Sequence, residues 1–195
     1  MTTHSIISPV DGSVIAEREL ASDSLTESVL ERAHEAQTVW RNTSIAERAR
    51  LCEAMVQHLE KNAADIATEI SWQMGRPVRY TPNEILRGAQ ERARYMMSIA
   101  ESELADLAVP EVPGFTKFVR RTPVGTVLIV APWNYPYLTA INSLVPALLA
   151  GNTVVMKHAS QTLLCAERFS QACDAAGFPP GVFQYIHATH ATVEK

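Results

Sequence analysis

Charge is missing from residues 124–156. The stretch VGTVLIVAPWNYPYLTAINSLVPALLAGNTVVM holds no acidic or basic side chain, and Lys157 ends it. An apolar run of roughly 20 residues is long enough to span a bilayer. Here Pro132, Pro136 and Pro146 interrupt the run, with Asn134, Asn142, Gly151 and Asn152 as further punctuation. Prolines this close together break a spanning helix repeatedly. The N-terminal MTTHSIISPVDG is polar and lacks the apolar core of a signal segment. The charge-free run is therefore read as the interior of a globular, cytoplasmic protein with no membrane partner.

Cysteine is also scarce. Cys52, Cys165 and Cys173 are an odd number without metal-ligand spacing, which argues against a disulfide framework. Basic tracts are absent: 17 Lys and Arg stand against 21 Asp and Glu, a net charge of −4. Nothing there would neutralise a nucleic acid backbone, so no nucleic acid partner is expected. His187 and His190 form an H-x-x-H pair, but two ligands without a third do not make a zinc site, and no metal is expected.

Helical periodicity dominates the first 110 residues. Three segments open on a hydroxyl residue followed three positions later by Glu: Ser24 and Glu27, Ser44 and Glu47, Thr81 and Glu84. That is the spacing of a capping box. The second helix carries one apolar stripe through Ile45, Ala49, Cys52, Met55, Leu59, Ala63, Ile66 and Ile70, stopped by Met74-Gly75-Arg76-Pro77. A third is expected from Pro82 to about Leu107. Beyond residue 110 the period shortens. Residues 113–121 read as a partly exposed strand, and Val127-Leu128-Ile129-Val130 as a strand buried on both faces of a parallel sheet. A helix over 138–150, a strand over 153–156, a helix over 162–176 and a short strand over 182–186 follow. Strand–helix–strand–helix–strand at this spacing is α/β, doubly wound organisation.

Such sheets bind ligands outside the carboxyl ends of their strands. Asn134 follows the first of these strands and Lys157 ends the second. The dinucleotide fingerprint is absent, because the turn after the first strand, Ala131-Pro132-Trp133-Asn134-Tyr135-Pro136, contains no glycine.

The motifs PVGTVLIVAPWNYP, PALLAGNTVVMK and AGFPPGV, in this order, resemble the first part of the cofactor-binding domain of aldehyde dehydrogenases. Upstream, WRNTSIAERARL and EISWQMGRP resemble the N-terminal helical region of the same family. The resemblance implies oxidation of an aldehyde through a cysteine thioester, with hydride passed to NAD or NADP. It implies that the Asn134 amide donates to the oxyanion and that Trp133 lies along the cofactor ribose and lends its backbone. For the Trp133 side chain, cofactor contact and core packing stand as alternatives. Lys157 is implied to reach the adenosine ribose and the neighbouring phosphate.

The family often places Glu three residues after this lysine, whereas Ser160 stands here. A hydroxyl leaves room for a 2′-phosphate that a carboxylate would repel, so NADP is expected to be accepted and even preferred. His158 replaces the family's proline and is expected to be an exposed turn residue, with contact between a cationic ring and the phosphate as the alternative.

None of the three cysteines matches the family's nucleophile. The nucleophile, the catalytic glutamate and the glycine-rich pyrophosphate segment are all expected beyond Lys195. The resemblance therefore divides the chain into 1–110, the N-terminal helical part of the cofactor domain; 111–122, an oligomerisation-type strand and linker; and 123–195, an incomplete first half of the Rossmann-like NAD(P) domain. On this reading the chain is an N-terminal fragment that is inactive alone. It would form a homo-oligomer or pair with a missing C-terminal part, with an aldehyde, in one variant a semialdehyde, as substrate. The alternative is a non-catalytic fragment that binds nucleotide or oligomerises.

Overall fold

The computed structural model describes residues 2–194. It begins with an element that helical periodicity hid, an antiparallel hairpin of β1 (Thr3–Ile7) and β2 (Val14–Glu19). Its turn is closed by Gly12 at φ 79° and by the Asp11 carboxylate, which accepts from the Ser13 amide and hydroxyl.

Helix α1 (Asp23–Trp40) is capped by Ser22, whose hydroxyl accepts the Leu25 N–H at 3.2 Å. The expected cap at Ser24 is thus two residues late. Ser22 already holds the extended conformation that a cap needs, and Ser24 bonds to its hydroxyl instead. Val29, Ala33, Gln37 and Trp40 form the buried face.

The long apolar stripe is real but runs over two helices, α2 (Ile45–Lys61) and α3 (Ala63–Met74), joined at Asn62. Ser44 caps α2 as expected, accepting the Glu47 N–H. The Glu47 carboxylate turns to Arg50. Gly75, at φ 77°, ends α3 with its N–H on the Ser71 carbonyl.

The third capping box does not form. Glu84 points into the protein, and the chain runs through a π-helical segment (Glu84–Ala89) into α4 (Gln90–Leu104). The strand expected over 113–121 shrinks to β4 (Phe118–Val119), paired with β3 (Leu107–Ala108) in an exposed antiparallel ribbon.

A parallel sheet in the order β5-β6-β7 then forms from β5 (Thr126–Ala131), β6 (Thr153–His158) and β7 (Phe183–Tyr185). Helices α5 (Pro136–Leu149) and α6 (Leu164–Ala176) make the two crossovers. A short helix α7 (His190–Val193) follows β7, capped by Thr189.

One core joins the helical region to one face of this sheet. Trp40, Met55, Ile66 and Ile85 share a cluster with Ile129, Met156, Leu144, Phe169 and Phe183. The opposite face receives α1, through Val29 and Ala33 against Val155 and Ile186. All six residues of β6 are buried, because helices cover both of its sides. The β5 expectation needs correction: Ile129 is buried, but Leu128 and Val130 are 46% and 52% exposed. Helix α1 packs mainly on β6 and leaves Leu128 and Val130 of β5 open.

Candidate functional site

The last register pair of β5 and β6 is Ala131 with His158. Pro132, Trp133 and Asn134 therefore begin just outside the sheet edge, and Lys157 sits one residue inside it. The two marks of the charge-free run meet at the carboxyl ends of adjacent parallel strands, where open α/β sheets take their ligands.

Lys157 is 2% exposed, and among the described residues it has neither an ion-pair partner nor a hydrogen bond from its ammonium. Burial pushes its pKa below the ordinary lysine value. An ammonium group removed from water without a counter-charge is unfavourable. The pleat places it on the face of Val155. On that face Leu30, Leu128, Val155, Ile186 and Val193, together with Asp23, Thr26, Glu27 and Thr192, line a groove of about 390 Å³.

The segment after Lys157 is held tightly. His158 is fully buried, which corrects the expectation of an exposed turn residue. Its Nδ1 accepts the Ala159 N–H at 3.1 Å, so Nε2 carries the ring proton and donates to the Pro136 carbonyl at 3.2 Å. The Thr162 hydroxyl completes the set at Nδ1. Burial above all pushes the His158 pKa down to about 4, so the ring is neutral near pH 7. Through it the end of β6 is fastened to the start of α5.

Ser160 opens a 3-10 turn (Ser160–Thr162) and is exposed, with a hydroxyl unbonded within the described residues. Gln161 anchors the turn by donating to the carbonyls of Ile7 and Gln73. The side-chain oxygen of Gln73 accepts the Leu164 N–H at the start of α6.

Asn134 is exposed, and its side-chain amide has no partner among the described residues. Its backbone carbonyl is held by Arg76, whose guanidinium also lies 4.4 Å from the centre of the Tyr135 ring. Trp133 is 54% exposed. Of the two roles open to its side chain, core packing is therefore not adopted here.

The cysteines are all buried. Burial raises Cys52 to about 12, and Cys165 and Cys173 well above the ordinary thiol value. A thiolate nucleophile needs the opposite environment, a partly exposed and electropositive one. His187 Nε2 donates to the Glu167 carboxylate across 3.0 Å, and Arg18 binds the same carboxylate. His190 lies in the first turn of α7.

Across residues 1–195 the chain matches the model of the aldehyde dehydrogenase family. It belongs to that family. Among aldehyde dehydrogenases, a succinate-semialdehyde dehydrogenase [NADP(+)] from Mycobacterium bovis is 33% identical over 190 residues, covering 96% of this chain and 41% of the relative. The crystal structure of PnpE from Pseudomonas sp. WBC-3 superposes with a TM-score of 0.91 at 29% identity, covering 97% of this chain and 39% of that one. A structure of PnpE in complex with nicotinamide adenine dinucleotide gives 0.89 at 28% identity, covering 99% and 39%. The chain thus spans about two-fifths of the length of these family members.

Sequence reasoning named Trp133, Asn134, Lys157 and Ser160 but missed the residues that hold them. His158 looked like a turn residue because it sits where a strand ends. Glu84 looked like a local cap because it lies three residues after Thr81. Arg76 stood in a helix-stop motif, and nothing in its spacing points to a turn 58 residues away.

Proposed function

We propose that residues 1–195 supply the oxyanion amide and the adenosine-side cofactor contacts of an NAD(P)-dependent aldehyde dehydrogenase that prefers NADP. The observation that carries this reading is Lys157, a largely covered lysine with no ion-pair partner among the described residues, at the ligand edge of a parallel sheet. An anionic, ribose-bearing ligand matches that environment. Ser160, exposed and free of a carboxylate, favours the ligand with an additional 2′-phosphate. The apolar residues of the groove beside Val155 supply a surface for a planar base. When bound, the nicotinamide accepts hydride from the substrate.

Asn134 is assigned the donor role. A neutral amide needs no proton transfer to stabilise a developing oxyanion, and loss of such a donor typically costs about 2.7–4 kcal/mol of transition-state stabilisation. Trp133 is assigned a place along the ribose. Identity with an NADP-dependent succinate-semialdehyde dehydrogenase supports a semialdehyde as the substrate class. With every thiol buried and protonated, residues 1–195 alone are proposed not to oxidise aldehydes. The aldehyde chemistry would require the part of the relatives that this chain does not span. The ribbon of β3 and β4 is assigned to oligomer contacts.

Calorimetric titration of the chain tests the cofactor reading. NADP is expected to bind at least about tenfold more tightly than NAD, a difference of roughly 1.4 kcal/mol. Lys157→Met should abolish binding of both, and Ser160→Glu should reverse the preference. Equal affinity in the Lys157→Met variant would sink the assignment. Reduced cofactor formed from succinate semialdehyde by residues 1–195 above a protein-free blank would overturn the proposed inactivity. Binding of nucleotide without turnover after joining to the remainder of a relative would favour the non-catalytic alternative.

A further inference from the structure

We propose that Arg76 and Glu84 are positioning residues that clamp the turn bearing Asn134; the functional part of this proposal rests on the assignment of Asn134 as the oxyanion donor. The Glu84 side chain is 1% exposed. A carboxylate buried so completely needs partners for its charge and its lone pairs. It has three: the Tyr137 N–H at 2.7 Å, the Leu138 N–H at 3.0 Å, and the Arg76 guanidinium. Both amides belong to the first turn of α5, where N–H groups have no carbonyl within the helix. Pro136, at the start of that helix, has no N–H, and the cap residue Tyr135 makes no side-chain cap bond. The side-chain cap of α5 therefore comes from a residue more than fifty positions earlier.

Arg76 extends the grip backwards along the chain. One guanidinium nitrogen meets Glu84, another meets the Asn134 carbonyl, and the planar group lies over the Tyr135 ring. Asn134, Tyr135, Tyr137 and Leu138 are thus held by two side chains from outside the turn. The Asn134 amide has no partner among the described residues, so the orientation of its Cα–Cβ bond is set by this backbone. A donor that must meet a developing charge works only if it is already in place. A local Ser or Asp at position 135 would cap α5 without burying an ion pair. The remote pair adds what a local cap lacks, a hold on the Asn134 peptide itself.

Nuclear magnetic resonance of the ¹⁵N-labelled full chain tests this. Arg76→Lys keeps a cation for Glu84 but loses the planar fork whose two nitrogens reach Glu84 and the Asn134 carbonyl at once. The Asn134 side-chain and Tyr135 backbone signals should shift or broaden, while the Tyr137 and Leu138 amides stay protected and Tm is unchanged. Glu84→Ala should speed hydrogen exchange at those two amides by roughly 5–10-fold, the loss expected for a helix cap. Glu84→Gln, which keeps the acceptor oxygen, should restore most of that protection. Unmoved Asn134 signals in Arg76→Lys would overturn the clamp, as would changes spread over the core with a fall in Tm. Moved Asn134 signals in a chain that binds no NADP would uphold the clamp and remove the cofactor site that the Asn134 donor is proposed to serve.

Discussion

His158 shows how one side chain can be read correctly as a departure and wrongly as to its place. A polar ring at a strand end is ordinarily solvent-facing, yet here three hydrogen bonds allow it to be fully buried. Its pKa, about 4, lies below the ordinary 6.5. Between those values the unfolded chain binds a proton and the folded chain does not. Stability is therefore greatest above pH 6.5, falls as pH drops towards 4, and falls no further below that through this group. The full difference is on the order of 3 kcal/mol. His158→Gln keeps an acceptor and a donor without a titration. In denaturant melts across this window, the parent should lose stability relative to the variant, and parallel pH curves would refute the assignment.

The joint between α5 and β6 decides where Lys157 lies. Gly151 takes φ 86° there, and an added Cβ would sit 2.6 Å from Nη1 of Arg48 and 3.3 Å from Pro123. Arg48 cannot simply move aside, because the same nitrogen donates to the Leu149 carbonyl at 2.6 Å. Trp40 and Gln37 of α1 donate to the Leu148 and Gly151 carbonyls of the same joint. Gly151→Ala adds left-handed strain to a displaced buried arginine, and should destabilise the chain by about 2–4 kcal/mol in thermal or denaturant unfolding. A loss below about half a kcal/mol would show that the joint relaxes freely. The pattern of a helix stop was legible as Gly151-Asn152, but the arginine behind it was not, since it comes from α2.

The molecule as a whole exposes apolar surface unevenly. Val124 just before β5, Leu128 and Val130 within it, and Trp133 and Tyr135 beyond it are all at least 46% exposed. Contiguous patches of this kind promote association. Sedimentation of the chain at increasing concentration should show self-association. Leu128→Lys together with Val130→Lys should shift it towards monomer without lowering Tm, because neither side chain is in the core. Among the described residues no helix is long and apolar enough to cross a membrane. The charge-free run is instead divided between a strand, a crossover helix and a second strand.

Local rules were enough for the order of elements from β5 to β7, for the Ser44 cap and for the apolar stripe of α2 and α3. Each depends on periodicity or on contacts within four residues. The β1–β2 hairpin was missed, as its strands are short and their polar residues mask any alternation. Asn134 and Lys157 could be named from sequence because strand ends can be counted along the chain. Their surroundings required the tertiary structure. Glu84 caps a helix from which it is 53 residues removed, Gln73 does the same for α6, and His158 ties the end of β6 to the start of α5. A hydrogen bond between distant residues leaves no spacing to read. The sequence by itself determined which groups stand at the edge of the sheet, and only the packing decided what holds them there.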